Sequence, residues 1–181
     1  EQELRQKYPT DYQSRIEYLD LMEAKVYLLD RKDWIPAFKK LEPGYARLLP
    51  EHRSEYISLL SSIASEYSLA GERDGEIEYC KKILAISPDD IYRRLNLIQR
   101  YRETGRYAEI LPMFDDVSED TRKSLLEEFK SQPAEYRENM WQSFADVPFS
   151  LGEPLAEMFG DSVPATTIYN NLLMRKNFLL N

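Results

Sequence analysis

The amino-acid sequence predicts an all-α fold, an α-α superhelix of stacked antiparallel helical hairpins. Three observations carry that expectation. Apolar residues recur at spacings of three and four through most of the chain, the period of a helix face. With only 6 glycines and 10 prolines among 181 residues, a loop-rich β fold would lack its turn residues. One pattern also occurs twice: Ile63, Tyr67, Gly71 and Cys80 are matched by Leu97, Tyr101, Gly105 and Phe114, each 34 positions on. A fixed internal period of that length marks a repeat architecture.

Taken in order, Asp11 to Asp30 reads as a helix with Ile16, Leu19, Val26 and Tyr27 on one side, opened by a capping oxygen of Thr10 or Asp11. A second helix runs from Asp33 to Leu49, its apolar face built from Trp34, Ala37, Phe38, Leu41, Tyr45 and Leu48. Asp33 is placed as its cap, and Pro36 falls in the first turn, where a missing amide costs little. Pro43-Gly44 is expected to break or kink this helix late. The next pair takes Glu51 to Ala70 and Asp74 to Ile86, with Leu60, Ile63, Tyr67, Ile77, Ile83 and Leu84 filling the seams and Ala64 where two helices cross closely. Gly71 and Gly105 suit a left-handed backbone just past a helix end. Ser87-Pro88-Asp89-Asp90 is the turn into a third pair, Asp90 to Thr104 and Tyr107 to about Val117, in which Pro112 is an awkward member.

After Ser118 the period fades. Ser118-Glu119-Asp120 is expected to open a new helix to Lys130, and Pro133 another that carries Tyr136, Met140, Trp141 and Phe144. Pro148 and Pro154 bracket an irregular piece before a helix at Leu155 to Phe159, and Val163-Pro164 begins a last one to Leu180. The expected organisation is three hairpins over residues 1–118, with divergent helical repeats over 119–181 continuing the same stack. The chain opens at Glu1, and we expect it to be part of something longer.

The totals exclude several classes of function. A formal net charge of -8 speaks against general nucleic-acid binding, which needs a basic surface to neutralise phosphates, and against an anionic membrane surface. A single cysteine allows no intrachain disulfide, and nothing points to an oxidising compartment, so the cytoplasm is the expected location. No apolar run approaches the ~18 residues of a membrane span. Hydrophobic residues at 43% and charged residues at 31% fit a folded chain.

The repeated large residue, aromatic, glycine and apolar residue at 63, 67, 71 and 80 resemble the tetratricopeptide repeat, which implies hairpins that bury their faces against one another and a concave surface for protein ligands. A second resemblance lies at the end of the chain. Arg137 to Trp141, then Tyr169-Asn170 and Lys176 to Leu180, look like the close of the repeat region in the CHAT family, whose caspase-like peptidase domains follow tetratricopeptide repeats. Asn177 stands where that family usually has glycine. The resemblance implies an attached peptidase beyond Asn181, whose histidine and cysteine correspond to no residue here.

Candidate chemistry is sparse. His52 and Cys80 are the single histidine and cysteine; a nucleophilic pair would need them in contact with a third orienting group, and Cys80 falls where these repeats bury a packing residue. Metal-ligand spacings are missing, as is a phosphate loop, since Gly71 to Gly75 has no following lysine. No catalytic residue, cofactor or metal is expected.

Two faces remain as a peptide groove. Ser58, Ser61, Ser65 and Ser68 share one helix face, and the first three fall at groove positions, where small hydroxyls would admit a ligand backbone; tight helix packing is the alternative. Tyr92, Gln99 and Arg102, with Leu95, face the groove among Arg93, Arg94, Arg100 and Arg106, and would hold an acidic peptide or a carboxyl terminus. A solvated arginine face with partners such as Glu103 is the alternative there, and Asn96 alone does not make a carboxylate clamp. The expected function is a non-catalytic module that binds protein or peptide segments and serves an attached effector, with a structural spacer or a self-associating homodimer module as the other reading.

Overall fold

The computed structural model describes residues 12–49, 51–129 and 146–180. All regular structure among them is helical, with no strand, and the fold is all-α as expected. The chain divides into two compact units, Glu1–Pro88 and Asp89–Asn181.

In the first unit α1 (Tyr12–Val26), α2 (Trp34–Ala46), α3 (Arg53–Ala70) and α4 (Arg73–Ile86) follow one another with short connections. Side-chain pairings fix their directions. Tyr45 near the end of α2 reaches Asp20 and Glu23 of α1, whereas Tyr27, just past α1, packs edge-on against Trp34 at the start of α2. Those two helices are antiparallel. Arg53 at the start of α3 donates to the carbonyl of Ile86 at the end of α4, and Tyr67 near the end of α3 lies over Gly75 at the start of α4. That pair is antiparallel too. The core between them contains Phe38, Tyr45, Leu59, Leu60, Ile63 and Ile83, all essentially without solvent exposure. Each such side chain contributes roughly 1.5–3 kcal/mol of transfer free energy, so the seams between helices supply most of the unit's stability.

Several local expectations are met with their physical cause visible. Gly71 and Gly105 have φ of 75° and 69°. At the first, Glu72 N–H donates to Tyr67 at 2.9 Å and Gly71 N–H to Ser68 at 3.1 Å; at the second, Arg106 N–H donates to Tyr101 at 2.7 Å and Gly105 N–H to Arg102 at 3.1 Å. Both are the same paired closure of a helix end, and each member of one lies 34 positions from its counterpart in the other. Asp90 caps α5 through Oδ1, which accepts from Arg93 N–H at 3.0 Å.

Others are corrected. α1 ends at Val26 rather than Asp30, and the carbonyl of Leu29 beyond it accepts from the Trp34 indole N–H at 3.0 Å. Asp33 holds the cap position of α2, but its side chain takes no cap hydrogen bond, because Arg31–Asp33 already form a 3-10 turn. Pro43-Gly44 does not break α2. Pro43 sits in the last turn, so its missing donor and its ring both fall on one carbonyl, that of Lys39, and little helix remains beyond it to redirect. A Cβ on Gly44 would lie 2.7 Å from Leu19 Cδ2, so this glycine lets α1 close onto α2. The Thr10–Asp11 cap and the helix expected from Pro133 lie outside the described residues.

The second unit holds α5 (Ile91–Glu103), α6 (Tyr107–Phe129), the short α7 (Asp146–Phe149), α8 (Gly152–Phe159) and α9 (Ala165–Leu180). Here α6 runs straight through Ser118, where a new helix was expected. Ser118 is fully buried, and its hydroxyl accepts from the Asn171 side-chain amide at 3.1 Å. A tertiary partner thus uses the oxygen that would otherwise cap a helix start. The expected irregular piece between Pro148 and Pro154 is mostly helical, and α8 begins at Gly152 instead of Leu155. α5 and α6 are antiparallel, with Arg94 paired to Asp120 at 2.7 Å. Thr167 meets Asp115, and Asn171 meets Ser118 and Arg122; partners rise together along both helices, so α9 runs parallel to α6.

Candidate functional site

The two expected groove faces belong to different units. On α3 the buried positions are Tyr56, Leu59, Leu60, Ile63 and Ala64. Ser58 and Ser65 fall on the other side and are exposed, while Ser61 is half-buried. The Ser61 hydroxyl donates to the carbonyl of Ile57 at 2.7 Å, a bond back into its own helix that uses its donor. Ser68 accepts from Arg73 at 3.3 Å. The outward stripe is therefore Ser58 and Ser65, continued by Leu69, which is 67% exposed.

On α5 the buried positions are Leu95, Leu97, Ile98 and Tyr101. Leu95, expected to face the groove, belongs to the core. Tyr92 is half-exposed and Arg102 exposed. Gln99 donates to Glu103 at 3.1 Å, and Arg100 also meets Glu103, the local pairing anticipated for a solvated arginine face. Arg94 turns inward to Asp120, and its buried Nε has no acceptor among the described residues. Arg102 reaches Ser150 Oγ at 3.4 Å, beside a small cleft lined by Phe149, Gly152, Glu153, Ile168 and Leu172. Of the expected groove residues, Arg102 thus stands next to a concavity.

Cys80 is 2% exposed within the core. His52 holds Glu55, Nδ1 to Oε1 at 3.3 Å, and three effects keep Glu55 below the usual carboxylate range, the Ser54 hydroxyl first, then its own backbone amide and His52. Among the described residues no group of three His, Cys, Asp or Glu side chains is placed to hold a metal ion, and no helix is long and apolar enough to cross a membrane.

The organised polar chemistry lies elsewhere, at positions the sequence did not single out. The Glu42 carboxylate on α2 accepts from Tyr79 Oη and Lys82 Nζ of α4, both at 2.8 Å, and from Tyr56 Oη of α3 at 3.5 Å. Lys82 Nζ also sits 4.2 Å from the Tyr79 ring centroid, within cation–π range. Burial pushes the Glu42 carboxyl up, but hydrogen bonds from Lys82 and Tyr79 and the charges of Lys82 and Lys39 outweigh it and hold it below its ordinary value. Burial and the adjacent carboxylate push the Tyr79 phenol well above its usual range. Alongside, Lys39 donates to Tyr67 Oη at 3.2 Å. In the second unit Asn171, 1% exposed, accepts from Arg122 and donates to Ser118 and the Pro148 carbonyl. These groups bond helix to helix across sequence separations of 14 to 53 residues; no local spacing announces them.

No family model, curated protein or solved structure matches this chain.

Proposed function

We propose that this chain is a non-catalytic helical module that binds protein or peptide segments and serves an attached effector, of the caspase-like peptidase kind that the CHAT resemblance implies. The observation that carries this reading is a division of labour among polar groups. The clustered ones, around Glu42 and Asn171, are engaged inside helix interfaces. The side chains turned outward on α3 and α5, Ser58, Ser65, Tyr92 and Arg102, have the character of contact residues: small hydroxyls, an aromatic and a guanidinium. Exposed tyrosine and arginine are favoured anchors for peptide ligands. Substituting Tyr92→Ala with Arg102→Ala, or Ser58→Arg with Ser65→Arg, should abolish capture of peptides selected on the parent chain while the far-ultraviolet circular dichroism is unchanged. Unchanged capture by both pairs would remove the proposal.

A spacer or self-associating module is the second reading, favoured by one patch. Leu28 is 84% exposed, with Leu21, Tyr27 and Leu29 about half-exposed beside it, an apolar surface of the kind that pairs with another copy. Sedimentation equilibrium tests it: a concentration-dependent mass that Leu28→Lys removes supports it, and a constant monomer mass contradicts it.

A further inference from the structure

The Tyr45 hydroxyl raises a proton-counting problem. It lies 2.9 Å from Asp20 Oδ1 and 2.8 Å from Glu23 Oε2, both at hydrogen-bond length. A phenol has one proton to donate. With both carboxylates ionised, one of them would face the phenol oxygen's lone pairs rather than its proton, with a like charge one helical turn away. The arrangement is satisfied when a second proton is present.

We propose that Asp20, Glu23 and Tyr45 form a proton-dependent latch between α1 and α2. In the closed form Glu23 has taken a proton from solvent and donates it to Tyr45 Oη, and the phenol donates its own proton to Asp20. In the open form Glu23 has returned that proton to solvent, and the two carboxylates compete for one donor.

The surroundings favour the closed form. Tyr45 has no solvent exposure and Glu23 is half-buried. Burial first, and then the Asp20 charge, push the Glu23 carboxyl above its ordinary value, against the Tyr45 hydrogen bond that lowers it. Burial and the two carboxylates likewise push the Tyr45 phenol far up, so it keeps its proton. The side chains that set the Glu23 carboxyl are Tyr45 and Asp20. The other charged groups of α2 that could reach across are engaged away from it: Glu42 with Tyr56, Tyr79 and Lys82, and Lys39 with Tyr67. Lys40 of α2 and Arg47 just past its end are exposed.

The sign follows from linkage. A carboxyl whose folded pKa is raised binds its proton more tightly folded than unfolded. Its contribution is fully present below the ordinary glutamate pKa and is lost as pH rises through the folded value. Acidification therefore tightens α1 on α2, and a rise toward neutrality loosens it. Because local opening can involve one element at a time, the effect should concentrate in α1.

The test uses the full chain. A side-chain carbonyl NMR titration of Glu23 should give a midpoint above that of an ordinary glutamate, and Asp20→Asn should move it down. Amide-exchange protection factors for α1, which divide out the intrinsic pH dependence of exchange, should fall as pH rises in the parent chain. In E23Q, where a neutral amide stands permanently in place of the protonated acid, the α1 protection factors should not change with pH. A Glu23 midpoint at or below the ordinary value would overturn the latch. So would a midpoint indifferent to Asp20→Asn, or a pH dependence of α1 protection that E23Q leaves intact.

Discussion

Replacing Glu42 tests the polar seam of the first unit most sharply. In E42A the Tyr79 hydroxyl loses its acceptor at 2.8 Å while its residue stays fully buried. An orphaned buried donor costs about 1–3 kcal/mol. Lys82 loses this partner too but keeps Glu78 at 3.2 Å, and its side chain, 35% exposed, regains water, so its share is at most about 1 kcal/mol. Together E42A should cost about 1–4 kcal/mol, a sizeable part of the roughly 5–15 kcal/mol that holds a domain folded. Tyr79→Phe removes the donor and leaves the carboxylate held by Lys82, so it should cost about 1–1.5 kcal/mol. The double variant should be more stable than the sum of the single losses implies, with a coupling of about 1 kcal/mol or more. Urea unfolding followed by Trp34 fluorescence, in a Trp141→Phe background, confines the readout to the first unit. The pH dependence adds a second check. Glu42 is held below its ordinary value, so its contribution is present above the ordinary glutamate pKa and is lost as pH falls through the folded one. That is the reverse of Glu23. A coupling within about 0.3 kcal/mol of zero, the limit for independent sites, would refute the reasoning.

Other outcomes follow from single positions. Gly75→Ala gains about 1 kcal/mol of helix propensity, yet its Cβ would lie 2.4 Å from Tyr67 Cδ1, in a ring stacked near Tyr79. The forced shift costs about 1–3 kcal/mol, so the net stability from urea unfolding should fall, by up to about 2 kcal/mol. Gly71→Ala and Gly105→Ala meet no atom within 4 Å but must hold positive φ, so each should cost about 1–2 kcal/mol and the two values should agree closely. Asn171→Ala strands the Arg122 donor beside α9 and removes the amide that bridges Ser118 and Pro148, and should lower the thermal midpoint by an amount equivalent to about 1–3 kcal/mol.

What was legible in the sequence is what short-range chemistry decides. The helix ends at Gly71 and Gly105 could be read because a left-handed residue with two closing amides is specified within six positions. The apolar face of α3 could be read because periodicity assigns it, whereas on α5 the same spacing set Leu95 on the groove side and the residue packs into the core. The break at Ser118 misled because Ser-Glu-Asp is a good local start signal, and its oxygen is claimed by Asn171, 53 residues away. Pro43 misled for another reason: a proline disturbs the ladder at one carbonyl, and so late in α2 the helix holds through that disturbance. The candidate faces were legible only as residue types at helical spacing. Of the six groove positions, the structure leaves Ser58, Ser65 and Arg102 exposed and Tyr92 half-exposed, turns the Ser61 hydroxyl onto its own backbone and ties Gln99 to Glu103. The Glu42, Tyr45 and Asn171 clusters were illegible because their members join only when the helices pack.

The central claim, that the outward faces of α3 and α5 bind peptide segments, is tested most directly by selecting a random peptide display library on the purified chain. Counter-selection uses the variant carrying Ser58→Arg, Ser65→Arg, Tyr92→Ala and Arg102→Ala together. The account predicts a convergent set of peptides that the parent chain captures and the folded variant does not. Convergent peptides held equally by both would place binding elsewhere, and no enrichment on the parent chain would contradict the peptide-binding reading itself.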